Sequence, residues 1–291
     1  MSIFVSQNSE NCSFSNSESW VILSPIEQSI KRKIEAVGKP LKDWDINIYR
    51  GILTGYNEAF IIDGKKKDQL IAEDPKSAEI IRPILRGRDI KRYGYEFADL
   101  WLINTHNGIK EKGLKPIDIN NYHAIKSHLD NYYSQLEKRA DKGDTPYNLR
   151  NCAYMDDFYK QKIIWGEISD RTKFCLDIEG EFVNEATTFL MTGRSLPFLL
   201  GFLNSKLSEY LFSKIGTTTG VGTVRWKKFT IEQLPVPEMT STFKKIEELV
   251  LRIVQATNSK SEINELEKNL NNMIYEGLGF DENEKNFIEN Q

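Results

Sequence analysis

Asp45-Ile-Asn-Ile-Tyr-Arg-Gly-Ile-Leu-Thr-Gly-Tyr-Asn-Glu-Ala-Phe-Ile-Ile-Asp63 decides the reading of this chain, together with Ile81-Arg-Pro-Ile-Leu-Arg-Gly-Arg-Asp-Ile-Lys-Arg-Tyr93 further on. The first run is short and apolar, rich in Ile, Tyr and Phe, and broken by Gly51 and Gly55. It predicts two strands joined by a tight turn, with the glycines at angles a side chain disfavours. The second run carries Arg82, Arg86, Arg88, Lys91 and Arg92 against one acid, Asp89. Pro83 and Gly87 interrupt it, so it is not expected to form one smooth helix with a solvated charge stripe. Guanidinium groups on a bent backbone beside an apolar platform suit a ligand with many phosphate oxygens.

Working outward, Ser24-Pro25 predicts a helix start, with Ile26, Ile30, Ile34 and Val37 at helical spacing and Gly38-Lys-Pro40 as its end. Lys65, Lys66 and Lys67 are expected in a loop after the second strand, the first two as further phosphate contacts. Asp74-Pro-Lys-Ser77 reads as a helix start leading to Ile80, Ile81 and Ile84. Tyr122 to Arg139 is expected to be helical. The polar loop that follows, Asp141-Lys-Gly-Asp-Thr-Pro-Tyr-Asn-Leu-Arg-Asn151, carries side chains suited to base edges. Arg can reach O6 and N7 of guanine and Asn can pair bidentately with adenine, which makes Asn148, Arg150 and Asn151 candidates for sequence readout. The alternative is a surface loop whose Asn side chains satisfy its own backbone. Leu196 to Ile215 is expected to be one amphipathic helix. Gly216-Thr-Thr-Thr-Gly-Val-Gly-Thr-Val-Arg-Trp-Lys-Lys228 lacks the ending of a nucleotide-phosphate loop. Its Arg225, Lys227 and Lys228 fit contacts to a nucleic-acid backbone, with Trp226 structural. Two further apolar stripes after residue 240 predict a helical pair.

Composition bounds the rest. The 291 residues carry a net charge of −3, unusual for a nucleic-acid binder. From Thr240 onward there are 6 basic against 10 acidic residues, so acidity is concentrated at the C-terminal end. No apolar run is long enough to span a bilayer, and the N-terminus lacks the basic start of a secretory signal. Cys12, Cys152 and Cys175 are odd in number and far apart, which favours free thiols in a reducing cytoplasm.

The two quoted runs are joined, in order, by Trp101-Leu-Ile, Thr145-Pro-Tyr-Asn-Leu-Arg-Asn151, Lys162-Ile-Ile-Trp165, Leu203-Asn-Ser-Lys-Leu207 and Leu234-Pro-Val-Pro237. Together they resemble the TaqI-like C-terminal specificity domain of adenine-specific DNA methyltransferases and type IIG restriction-modification enzymes. The resemblance implies double-stranded DNA as a partner, with a methyltransferase or methyltransferase-nuclease catalytic domain in cis or in trans, in a prokaryotic cytoplasm. It implies S-adenosylmethionine in that catalytic partner and no cofactor here. The chain has no Pro-Pro and no Asn-Pro dipeptide, so the motif that grips a flipped adenine is missing. The expected fold class is α+β, a small mixed sheet region with packed helices followed by a C-terminal helical pair. The expected divisions are 1–44 as lead-in and N-terminal helix, 45–239 as the recognition body, 240–275 as the helical pair and 276–291 as an acidic tail.

Two rivals remain at this stage. Asp89-Ile-Lys91 is a near match to a Mg²⁺-dependent nuclease motif, and the C-terminal helices could serve a protein-interaction scaffold. His106, His123 and His128 are scattered, and the last two are five apart rather than the four that places two metal ligands on one helix face.

Overall fold

A computed structural model describes residues 23–218, 222–238, 242–256 and 260–291. The lead-in to residue 22, including Cys12, lies outside the described residues, as does Gly220. The architecture is α+β, as the sequence predicts. Ser24 caps α1 (Pro25–Val37) through a reciprocal capping box with Glu27. The chain then forms β1 (Gly38–Pro40) and β2 (Ile46–Arg50), α2 (Asn57–Phe60), β3 (Ile61–Asp63) and α3 (Gly64–Glu73). Next come β4 (Ile81–Leu85), β5 (Leu100–Ile103), α4 (His123–Asp130) and α5 (Tyr133–Lys138). A strand-rich middle follows: β6 (Lys162–Gly166), β7 (Ile168–Ser169), β8 (Phe174–Asp177), β9 (Val183–Asn184) and β10 (Thr188–Gly193). The remainder is α6 (Leu196–Asn204), α7 (Lys206–Ile215), β11 (Thr217–Thr218), β12 (Val224–Arg225), α8 (Lys228–Ile231), β13 (Pro235–Pro237), α9 (Phe243–Gln255), α10 (Lys260–Gly277) and α11 (Glu282–Glu289).

Two four-stranded sheets organise the described residues, in orders β2-β10-β6-β8 and β3-β5-β4-β9. Here the decisive stretch departs from expectation. Both strands form, but they do not pair as a hairpin: β2 runs antiparallel to β10, whereas β3 runs antiparallel to β5 in the other sheet. The crossing occurs at Gly51, where an added Cβ would lie 2.1 Å from the Glu185 carbonyl oxygen. Gly55, at φ +70°, turns the chain into α2. Local composition specifies an extended, apolar run; the partner across the ladder is a non-local choice.

Each sheet has its own core. The first packs Ile48, Trp165, Phe174 and Met191 against helix residues such as Phe202 and Val250. The second gathers Phe60, Ile81, Leu102, Ile125, Leu129 and Phe158. A small cluster of Leu85, Ile90, Ile164, Cys175 and Phe182 lies apart from both.

Four local expectations are corrected. Lys65, Lys66 and Lys67 begin α3 rather than a loop, because the Asp63 carboxylate accepts from the Lys66 N–H at 2.7 Å and caps the helix. Ile81 and Ile84 lie on a strand, preceded by a 3₁₀ turn at Pro75–Glu79. The expected single helix from Leu196 breaks at Ser205, whose extended backbone (ψ 158°) starts α7 while its hydroxyl accepts from the Ser208 N–H. The stretch read as an acidic tail folds as α11, whose Glu284 is buried and accepts from the Ser29 hydroxyl at 2.7 Å and the Lys33 ammonium at 2.6 Å. The first and last described helices are thereby tied together, and Ile30, Val250, Ile274 and Ile288 share one core with the body. Trp226 is packed as expected, stacked on Phe212 at 3.8 Å.

Candidate nucleic-acid interface

The basic run is bent, as its Pro and Gly predict, and the bend sorts its cations into two groups. Arg82 donates to the carbonyls of Ala78, Glu79 and Ile81 and closes the preceding 3₁₀ turn. Arg86 clasps Asp89 with two side-chain bonds of 2.9 and 3.0 Å, which raises its pKa further. Arg92 turns inward to Glu267 of α10 and the Thr172 hydroxyl. These three of the expected phosphate contacts are thus engaged within the protein in this structure. Arg88 and Lys91 remain; Arg88 is exposed, and the Lys91 ammonium meets the exposed Glu96 and the Arg88 carbonyl. The clasp also engages both oxygens of Asp89, leaving the nuclease-like reading of Asp89-Ile-Lys91 without an open carboxylate.

Arg88 and Lys91 line a cleft with Glu167, Lys173, Thr187 and Arg225. Gly87 and Gly166 also line it, their backbones close enough that a Cβ on Gly166 would lie 3.4 Å from the Gly87 Cα. A second cleft is lined by Arg50, Asn107, Leu149, Arg150, Asn151 and Tyr154. The two adjoin through Arg50, which donates to the Ala186 carbonyl at 2.7 Å and meets Glu167 at 3.2 Å. Arg225 approaches the other oxygen of Glu167 at 3.5 Å. Arg88 and Arg225 on one cleft, and Arg50 and Arg150 on the other, are distant along the chain, and the two clefts meet at the Arg50–Glu167 pair.

The loop before Asn151 divides the base-contact candidates. Asn148 is 2% exposed; its amide donates to the Ile117 carbonyl at 2.9 Å and accepts from the Thr145 hydroxyl at 2.6 Å. Asn148, expected at a base edge, is thus engaged inside the protein and ties the loop to the Ile117 segment rather than to the loop's own backbone. Arg150 is more than half exposed beside Asp141, and Asn151 is exposed, its carbonyl accepting from Asn107. Beneath the loop, the buried Arg139 guanidinium donates to the carbonyls of Thr54, Asp141, Pro146 and Asn148. Burial pushes its pKa down to about 10.

Of the other expected contacts, exposed Lys228 donates to the Ile48 carbonyl at 2.8 Å. Lys227 is exposed next to Arg225, and Lys65 and Lys66 sit on α3 and line neither cleft. Arg50 and Lys173 went unassigned in the sequence. Arg50 was nonetheless visible, as the cation between a strand and a glycine in the decisive stretch.

Two histidines set a pH dependence around this site. His106, lining the second cleft, accepts the Gly108 N–H on Nδ1, and buried His128 reaches the Ala59 carbonyl through Nε2 at 2.9 Å. Burial lowers both pKa values below the usual 6.5. The unfolded chain therefore protonates first as pH falls. Stability is complete above about pH 6.5, declines from there to the lowered folded values, and then levels off. Urea midpoints between about pH 7.5 and about pH 5 should fall, and should fall less in His128→Gln, which keeps a donor but does not titrate. Equal declines in both proteins would remove His128 from this account.

A family model described as the TaqI-like C-terminal specificity domain matches residues 82–236, more than half of the chain. No curated protein matches. Among solved structures, the type IIL restriction-modification enzyme MmeI in complex with DNA shares the fold at a TM-score of 0.65 and 14% identity, over 84% of this chain and 34% of that one. The type IIG restriction endonuclease BpuSI does so at a TM-score of 0.52 and 15% identity, over 86% and 32%. The chain thus spans about a third of the length of either. With the match covering both the bent basic run and the loop that ends at Asn151, this chain belongs to the family of TaqI-like C-terminal specificity domains.

Proposed function

We propose that this chain is the DNA target-recognition module of a restriction-modification enzyme, selecting the site at which a separate catalytic domain acts. The observation that carries the reading is the joining of Arg88, Arg225, Arg50 and Arg150 along two adjoining clefts. Such a surface can follow a phosphate backbone while Arg150 and Asn151 reach base edges. Cations concentrated there make the net charge of −3 compatible with DNA binding, because local potential governs association. The catalytic domain is an adenine-N6 methyltransferase, with or without a nuclease, and it carries the S-adenosylmethionine. The length of the MmeI and BpuSI chains supports its attachment in cis. A prokaryotic cytoplasm is the corresponding location.

Selection from randomised duplexes tests the division of labour. Arg88→Ala should weaken binding to all sequences alike and flatten the logarithmic salt dependence by about one. Arg150→Ala should instead relax preference at one base position, by roughly 1–3 kcal/mol of discrimination. Identical sequence profiles and salt slopes for the two variants would sink the assignment. Methyl transfer to duplex by this chain alone, given S-adenosylmethionine, would show that catalysis is not confined to a separate domain.

A further inference from the structure

Glu167 stands where a phosphate-binding surface has no obvious use for an acid. It lies at the junction of the two clefts, on the stretch between β6 and β7. Its backbone is fixed on both sides: its N–H donates to the Thr187 carbonyl at 2.9 Å, and its carbonyl accepts the Trp226 N–H at 2.7 Å. Its side chain is only 18% exposed, while the guanidiniums it meets are far more open, Arg50 at 57% and Arg225 at 40%. One carboxylate oxygen faces Arg50 at 3.2 Å and the other faces Arg225 at 3.5 Å. A carboxylate held between two forked donors resembles a bridging phosphate in charge and acceptor geometry.

We infer that Glu167 is a specificity-determining residue that occupies, in the free protein, the place of a DNA phosphate between Arg50 and Arg225. The inference rests on the DNA-recognition reading above. A phosphate approaching the pair meets a fixed negative charge and must displace it from two partners. Backbone contacts alone then gain little at this junction. A site that also engages Arg150 and Asn151 in the adjoining cleft compensates for that displacement. Glu167 thus weakens binding to arbitrary sequences more than binding to the selected one, and specificity is this difference. The long separation of 3.5 Å to Arg225 and the exposure of both guanidiniums leave the pair able to open, unlike the Arg86–Asp89 clasp.

The test measures anisotropy of a labelled random-sequence duplex over a salt series, for wild type, Glu167→Gln and Glu282→Gln. Glutamine keeps the side-chain size and one acceptor oxygen but removes the charge. Glu282, 81% exposed on α11, supplies the same change in net charge away from both clefts. The expected result is about tenfold tighter binding for Glu167→Gln with a steeper salt dependence, and no change for Glu282→Gln. Unchanged or weaker binding of Glu167→Gln, with wild type bound, overturns the role of Glu167 while leaving DNA recognition standing. Equal gains in both variants also overturn it, because net charge alone would then be responsible. Absence of binding by wild type and both variants overturns both readings. Unfolding midpoints separate these outcomes from misfolding, since a purely structural role for Glu167 would lower the midpoint without steepening the salt dependence.

Discussion

Asp177→Ala is expected to destabilise the protein by about 3–5 kcal/mol, because it leaves a buried ammonium without its counter-charge. Lys162 is fully buried on β6, donating to the Phe158 carbonyl at 2.6 Å and to the Asp177 carboxylate at 2.5 Å. Burial lowers the Lys162 pKa, and the carboxylate opposes that shift. Asp177 also accepts the N–H groups of Glu181 and Phe182 at 3.1 and 2.9 Å, so the turn into β9 depends on the same side chain. Phe182 belongs to the small cluster containing Leu85 and Ile90, which flank the turn that displays Arg88. The loss should therefore appear both as a lower urea midpoint and as weaker DNA binding. Replacing both partners, as Lys162→Met with Asp177→Leu, should recover only part of the stability: no buried charge is left alone, but the Glu181 and Phe182 N–H groups and the Phe158 carbonyl lose their partners. A midpoint for Asp177→Ala close to wild type would show that water reaches Lys162 and that the pair is not closed.

Arg139→Ala is expected to cost about 3 kcal/mol and to abolish base discrimination while sparing the Arg88 cleft. Arg139 is 7% exposed, and its guanidinium joins α5 to the far end of the loop, to Thr54 in the crossing between sheets, and to the face of Phe60 at 4.6 Å. Among the described residues the Asn148 carbonyl also accepts the Gly143 N–H, whereas the Pro146 carbonyl has Arg139 as its donor. Removing it leaves carbonyls without partners beneath the segment that positions Arg150 and Asn151. Hydrogen exchange should then show lost protection at Gly143 and Asn148 before the rest of the second core. Lysine at this position has donors but not the fork, so Arg139→Lys should rescue only part. Retained sequence preference in Arg139→Ala would mean that the loop holds its shape through Asn148 alone.

The sequence by itself determined several features because their causes are local. Ser24 and Pro25 start a helix wherever an apolar stripe follows, Pro83 and Gly87 bend any backbone, and the stripes in α9 and α10 need only each other and the body. The order of motifs also determined the family. What only the tertiary structure decided is which cations are free. Arg82, Arg86 and Arg88 are equivalent in the chain, yet one closes a turn, one clasps Asp89 and one faces a cleft. Asn148 and Asn151 lie three residues apart, and only burial separates the one that holds the loop from the exposed one. The strands of the decisive stretch were legible, but their assignment to different sheets was not. Strand pairing, ion pairing and burial are set by contacts between residues far apart in sequence, and local composition carries no record of the partner.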